Sequence, residues 1–239
     1  MLLQREHARL GDSGKSDAQH NGGMESAAEW DRRLGWSREL VADDVGRRER
    51  ALGRLAVARG RRDRALRELN AAWREKGLSG AKEEQARYAE ARREVFPDAL
   101  WDFVPGGVES GGLRYALLYL NWEARYPAEW TAAAKSWATK KALLWRLARA
   151  VPELPDAVIG ELVELIRYAV CREHRCEDVG YALLARAVGE DRLRPVLAGL
   201  ADDPVDTYRL RARYLLCLLD HPESPRPKAG QWRAWSAGE

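Results

Sequence analysis

Nine arginines crowd into residues 47–67, at 47, 48, 50, 54, 59, 61, 62, 64 and 67, and only Glu49 and Asp63 oppose them. Guanidinium forks hold phosphate oxygens in pairs and displace counterions from a polyanion, so a helix this rich in arginine can lie along phosphates. The same density suits a solvated helix face or one that meets an acidic protein. Arg47, Arg54, Arg59, Arg61 and Arg62 are therefore candidate polyanion-binding residues, joined further along by Lys135, Arg146 and Arg149.

Other chemistry-bearing groups are weaker. Cys171, His174, Cys176, Cys217 and His221 are soft ligands that two helix ends can bring together for zinc. The paired CxxC spacing of a zinc site is missing, however, and Cys217 sits in Tyr-Leu-Leu-Cys-Leu-Leu, where a small buried hydrophobe fits. No metal and no cofactor is expected. The carboxylate pairs Asp43-Asp44, Glu177-Asp178 and Asp202-Asp203 all stand at helix starts, where capping accounts for them. The segment Gly11-Asp12-Ser13-Gly14-Lys15-Ser16 has Arg9 where a phosphate-binding loop needs glycine, and no buried strand precedes it. No catalytic residue is expected, the chain is read as a non-enzyme, and a small-molecule substrate is not expected.

The bulk numbers agree with a globular chain. Of 239 residues, 46% are hydrophobic and 32% charged, ample for a sizeable core. The formal charge of +3 hides an asymmetry: residues 43–95 carry 15 Lys/Arg against 10 Asp/Glu, residues 151–220 carry 9 against 13. No apolar run reaches the roughly 18 residues that span a bilayer. The N-terminus lacks the pattern of a signal peptide and three cysteines make no disulfide framework, so a cytoplasmic location with no membrane partner is expected.

The elements that must position these residues are helical. Residues 1–24 are polar and aperiodic, an expected disordered tail, and Met24 is a candidate start. A basic helical hairpin is expected over 25–105, a helical bundle or short solenoid over 110–220, and a flexible tail over 221–239, in which Trp232, Arg233 and Trp235 suit a docking segment. In the hairpin, Ser26 caps a first helix and Asp43-Asp44 begin a long second one. Its seam of Val45, Leu52, Leu55, Leu66, Leu69 and Trp73 is interrupted by Arg48, Arg59 and Arg62. Gly77-Leu78-Ser79-Gly80 breaks it, and a helix from Ala81 to Val95 folds back. Val104-Pro105-Gly106-Gly107 through Gly111-Gly112 is the expected linker.

Leu113 to Arg125 is apolar nearly all round, which predicts a central helix. Pro127 starts another, read as continuous to Ala150. At 100° per residue from Trp130, Trp137 lies at about −20°, Lys141 at about +20° and Trp145 at about +60°. Lys135, Arg146 and Arg149 fall between about 100° and 160°. The indoles are thus expected inward and the basic flank outward, with Lys141 inside the tryptophan stripe.

Two resemblances bear on function. The pair Leu193–Leu200 and Val205–Leu219, with Pro195, the Ala201-Asp202-Asp203-Pro204 turn, and then Arg209, Ala212, Leu215 and Leu216, resembles one HEAT-type helical repeat, with Asp156–Gly189 as a degenerate earlier unit. Such units imply stacking and a surface for protein partners. The order Ala99-Leu100-Trp101-Asp102-Phe103-Val104-Pro105, an aromatic helix, then Glu153-Leu154-Pro155, Leu162-Val163 and Asp178 before Leu183-Leu184 is similar to the small helical subunit of Cascade-type CRISPR surveillance complexes. That likeness implies basic residues lining nucleic acid; the arginine hairpin and the last two helices depart from its pattern. The sequence is therefore read as all-α, a non-catalytic helical interaction or scaffold protein with a protein partner, the alternative being a nucleic-acid-binding subunit using the arginines of 47–67.

Overall fold

Ser26 and Asp44 start the first two helices as their positions predict. The Ser26 hydroxyl accepts from the Glu29 amide at 3.2 Å and opens α1, Ala27–Leu34. Asp44 Oδ1 accepts from the Arg47 amide at 2.7 Å and opens α2, Val45–Gly80. Each bond satisfies an amide that the first turn of a helix leaves without a partner. The computed structural model describes residues 26–102 and 111–224, with 227, 228, 230, 231 and 234. The N-terminal GDSGKS segment, Phe103, residues 104–110 of the linker and the Trp232–Trp235 segment lie outside the described residues.

Between α1 and α2 the chain makes a 3-10 segment, Gly35–Val41. The long helix stays regular as far as Gly77, whose φ of 72° lies in the left-handed region that glycine enters without penalty. The chain then turns back as α3, Lys82–Arg93. The far end of this hairpin has its own small core of Leu69, Ala72 and Ala81, with Trp73 and Tyr88 packed on it. A second 3-10 segment, Asp98–Asp102, leads towards the bundle.

The bundle comprises α4 (Gly111–Arg125), α5 (Pro127–Ala133), α6 (Trp137–Ala150), α7 (Asp156–Val170), α8 (Val179–Val188), α9 (Glu190–Leu200) and α10 (Asp206–Asp220). Ten α-helices pack together and no strand occurs among the described residues, so the chain is all-α, as the periodicity predicts. No described helix is long and apolar enough to cross a membrane.

As its composition predicts, α4 is central. Leu113, Tyr115, Ala116, Leu117, Tyr119, Leu120, Trp122, Glu123 and Ala124 are all buried on it. Phe96, Tyr119, Trp122, Trp130 and Trp137 form a continuous run of ring contacts, with centroids 4.6–6.3 Å apart. Offset and edge-on pairs at such distances add to what area burial alone provides. One hydrophobic core reaches from Trp30 and Leu34 through α4 to Leu215 and Leu219, so residues on both sides of 103–110 share it.

The helix read as continuous from Pro127 to Ala150 is in fact two. Ala134 to Ser136 interrupt it, with Lys135 at φ 43°. Phasing from Trp130 therefore fails beyond the break. Trp145 is 37% exposed and Lys141 lies outside, 3.9 Å from Glu177 Oε2, not in the tryptophan stripe. Lys140 takes the inward place instead, completely buried beside Leu143, Leu144 and Leu147.

Candidate functional site

On α2 the arginines divide by helix face. Those that interrupt the apolar seam turn inward and bind acceptors on elements packed against the helix. Arg48 donates from Nε to Glu129 Oε1 at 3.0 Å and from Nη1 to the Ala42 and Asp43 carbonyls at 2.8 and 3.0 Å. Its guanidinium also lies 4.1 Å from the Tyr126 ring centre. The Glu129 hydrogen bond holds its pKa above the ordinary arginine value. Arg59 donates to the Ala133 carbonyl, and Arg62 pairs with Asp98 and Asp63. Burial opposes the charge of Arg62, but Asp98 and Asp63 outweigh it and raise its pKa. Arg59 and Arg62, both candidates from the sequence, thus join helices within the molecule. Long amphipathic side chains at seam positions bury their stems and find an acceptor at the tip, which a pattern of apolar against charged residues does not reveal.

Of the other sequence candidates, Arg47 is exposed and sits 3.7 Å from Glu39. Arg146 donates to the Leu100 and Trp101 carbonyls at 3.4 and 2.9 Å. Lys135 and Arg149 are exposed. Arg54 and Arg61 remain on the outer face of α2, and there they line a groove.

That groove, of about 610 Å³, lies where α1 and the Gly35–Val41 segment run beside α2. Arg32, Arg33, Arg50, Arg54 and Arg61 line it with Trp36, Gly53, Val57 and Ala58; Glu94 is its single carboxylate. Arg32 is paired with Glu29 at 2.5 Å, and Arg33 donates to the Arg93 carbonyl at 2.6 Å. Arg50, Arg54 and Arg61 are exposed and make no hydrogen bond or ion pair with any described residue. Five guanidiniums against one carboxylate leave the groove strongly positive, and three of the five have donors unused. Arg32, Arg33 and Trp36 were missed by sequence reasoning because they belong to a different helix and only folding brings them to α2. The signal available was an Arg-Arg pair and a tryptophan within one turn of each other. Lys135, Arg146 and Arg149 do not line this groove.

A second charged set lies in the bundle, with Glu123, Lys140 and Asp178 wholly enclosed and Arg172 and Arg175 at its half-buried edge. Lys140 Nζ donates to Asp178 Oδ1 at 2.6 Å, to the Cys176 carbonyl at 3.0 Å and to Glu123 Oε1 at 3.3 Å. An ammonium has three donors, and all three are used. Arg172 bridges both carboxylates, reaching Asp178 Oδ1 at 2.7 Å and Glu123 Oε2 at 3.2 Å. Arg175 closes the set from its Nε to Glu123 Oε1 at 2.6 Å, with Nη2 on Thr131 Oγ1 at 2.9 Å and its own amide on Asp178 Oδ2 at 2.8 Å. Indole and phenol faces cover these cations: Trp137 and Tyr181 stand 5.6 and 5.4 Å from Lys140 Nζ, and Trp130 stands 5.3 Å from the Arg175 guanidinium. Burial pushes the Asp178 carboxyl up, but Lys140 and Arg172 outweigh it and hold its pKa below the ordinary value.

This set is a structural joint. It ties α4, α6 and the start of α8 together through the Cys171–Asp178 connection, with three cations gathered on the two carboxylates. The soft ligands considered for zinc sit around it without converging: Cys176 is exposed, Cys171 and Cys217 are half-buried, and His221 pairs with Glu223 at 3.2 Å. Among the described residues no three His, Cys, Asp or Glu side chains come together as a metal site.

Comparison with known proteins finds no matching family model, no matching curated protein and no matching solved structure.

Proposed function

We propose that this chain is a non-catalytic helical interaction module whose partner is an anionic macromolecule docking on the outer face of α2. The observation that supports this most is the groove: five arginines from two helices converge there against one carboxylate, and Arg50, Arg54 and Arg61 form no ion pair with a described residue. Repulsion among clustered guanidiniums costs stability, and a solvated surface of mixed charge avoids it. A ligand that supplies negative charge would relieve that repulsion.

Catalysis is not part of the proposal: in the set of Glu123, Lys140, Arg172, Arg175 and Asp178, both carboxylates and the ammonium are engaged with one another. The experiment is an anisotropy titration of labelled nucleic acid and heparin over a salt series. Counterion release predicts that log K falls linearly with log salt, with a slope of about −0.9 per duplex phosphate neutralised. Replacing Arg50, Arg54 and Arg61 together should flatten that slope. No polyanion binding at low salt overturns the reading.

A further inference from the structure

The groove combines two chemistries. Beside the guanidiniums lies an apolar patch of Trp36, Gly53, Val57 and Ala58. Trp36 is half-buried, with its inner side on the core, and Val57 is 57% exposed although its type favours burial. A side chain added at Gly53 would meet nothing within 4 Å, so the backbone of α2 is open to a ligand there. The volume of about 610 Å³ lies within the roughly 300–1,000 Å³ of small-ligand sites, which suits a nucleotide-sized group.

The patch discriminates among anions. Heparin or a duplex backbone needs only the cations and leaves the apolar surface wet. A duplex also hides its base faces in its own stack. A single strand offers phosphates together with unstacked bases, each with an aromatic face of the kind that indoles stack against. Arg50 to Arg61 covers about 16 Å of helix axis, and even a strand extended to about twice the 3.4 Å per phosphate of a stacked one places two or more phosphates along that length.

Resting on the reading of the α2 face as an anion-binding surface, we propose that the groove is a single-stranded nucleic-acid site, with one base stacked on Trp36 beside Val57 and the flanking phosphates on Arg50, Arg54 and Arg61. The test is anisotropy on the full chain with four labelled probes: a short mixed-sequence single strand, the same sequence as a duplex, heparin, and polyglutamate. The single strand is expected to bind most tightly. Trp36→Leu should weaken it roughly ten-fold, as loss of one stacked base does, and leave heparin unchanged; Trp36→Phe should restore most of the loss. Because Trp36 also packs on the core, Val57→Asp supplies an arm that leaves folding intact: a carboxylate at an exposed position of the groove should weaken the single strand at least ten-fold.

Equal binding of single strand, duplex and heparin, with Trp36→Leu and Val57→Asp leaving the single strand no weaker than heparin, overturns the single-strand assignment and leaves the anionic-surface reading standing. Polyglutamate bound as tightly as the single strand overturns it in favour of an acidic protein. Failure of every probe at low salt removes both readings.

Discussion

Lys140 Nζ lies 2.6 Å from Asp178 Oδ1, and both side chains are wholly enclosed, one from the first turn of the bundle's α6 and the other from the turn that starts α8. Taking two charges out of water is costly, and their attraction offsets that cost only when the remaining donors and acceptors are also met. Here they are, through Glu123, Arg172 and the Cys176 carbonyl. Removing one partner leaves an uncompensated buried charge, so Lys140→Ala should lose on the order of 3–5 kcal/mol. Urea denaturation of the variant measures this. A loss below about 1 kcal/mol would mean that the pair is no more than a surface-like contact.

The same joint gives acid sensitivity a definite sign. The pKa of Asp178 is lowered in the fold below the ordinary aspartate value, because Lys140 and Arg172 favour the charged carboxylate more than burial disfavours it. A depressed native pKa contributes stability that is fully present above the unfolded value and is lost as pH falls through the native one. Asp178→Asn should therefore be less stable than the native chain at pH 7, with the gap narrowing below about pH 4. Tm measured against pH for both proteins checks this, and a gap that widens in acid would contradict it.

How far the sequence discloses this joint depends on one break in the chain. Counted from Trp130, Lys140 falls away from the indole stripe; counted from within α6, Lys140, Leu143, Leu144 and Leu147 are spaced i, i+3, i+4 and i+7 on one face. Nothing but the Ala134–Ser136 interruption separates the two answers, and Lys135 at φ 43° has no glycine to mark it. The long hairpin, by contrast, is legible because Gly77 and the two capping residues Ser26 and Asp44 are local signals. The division of arginines on α2 is half legible: the seam shows Arg48, Arg59 and Arg62 interrupting it, but not that they turn inward, because their acceptors come from Glu129, Ala133 and Asp98, remote in sequence.

That division can be tested by contrasting two single replacements one residue apart. Arg61→Ala removes an exposed guanidinium from the groove, so stability should stay within about 0.5 kcal/mol while the affinity for polyanions falls. Arg62→Ala breaks the pairing with Asp98 and should cost on the order of 1–2 kcal/mol, with a smaller effect on binding. Denaturation midpoints and anisotropy on the same preparations separate the two roles. Equal effects of both replacements on stability would refute the inward and outward assignment.

Two helical glycines should respond to alanine in opposite directions, because their surroundings differ. At Gly53, an exposed position inside the first half of α2, an added Cβ meets nothing within 4 Å. Alanine there removes the conformational freedom that glycine forfeits on folding and should stabilise the chain by about 0.5–1 kcal/mol. At Gly180 the added Cβ would stand 2.7 Å from Leu144 Cδ1 and 3.0 Å from its Cβ, where α8 crosses α6. Leu144 is completely buried and cannot turn aside, so the two helices must separate or strain, and overpacking of this kind costs typically about 1–3 kcal/mol. For a chain of this length 1 kcal/mol moves Tm by about 2–4 °C, so thermal melts should show Gly53→Ala rising by a few degrees and Gly180→Ala falling. A stabilising Gly180→Ala would show that α6 and α8 approach less closely than the Leu144 contact requires.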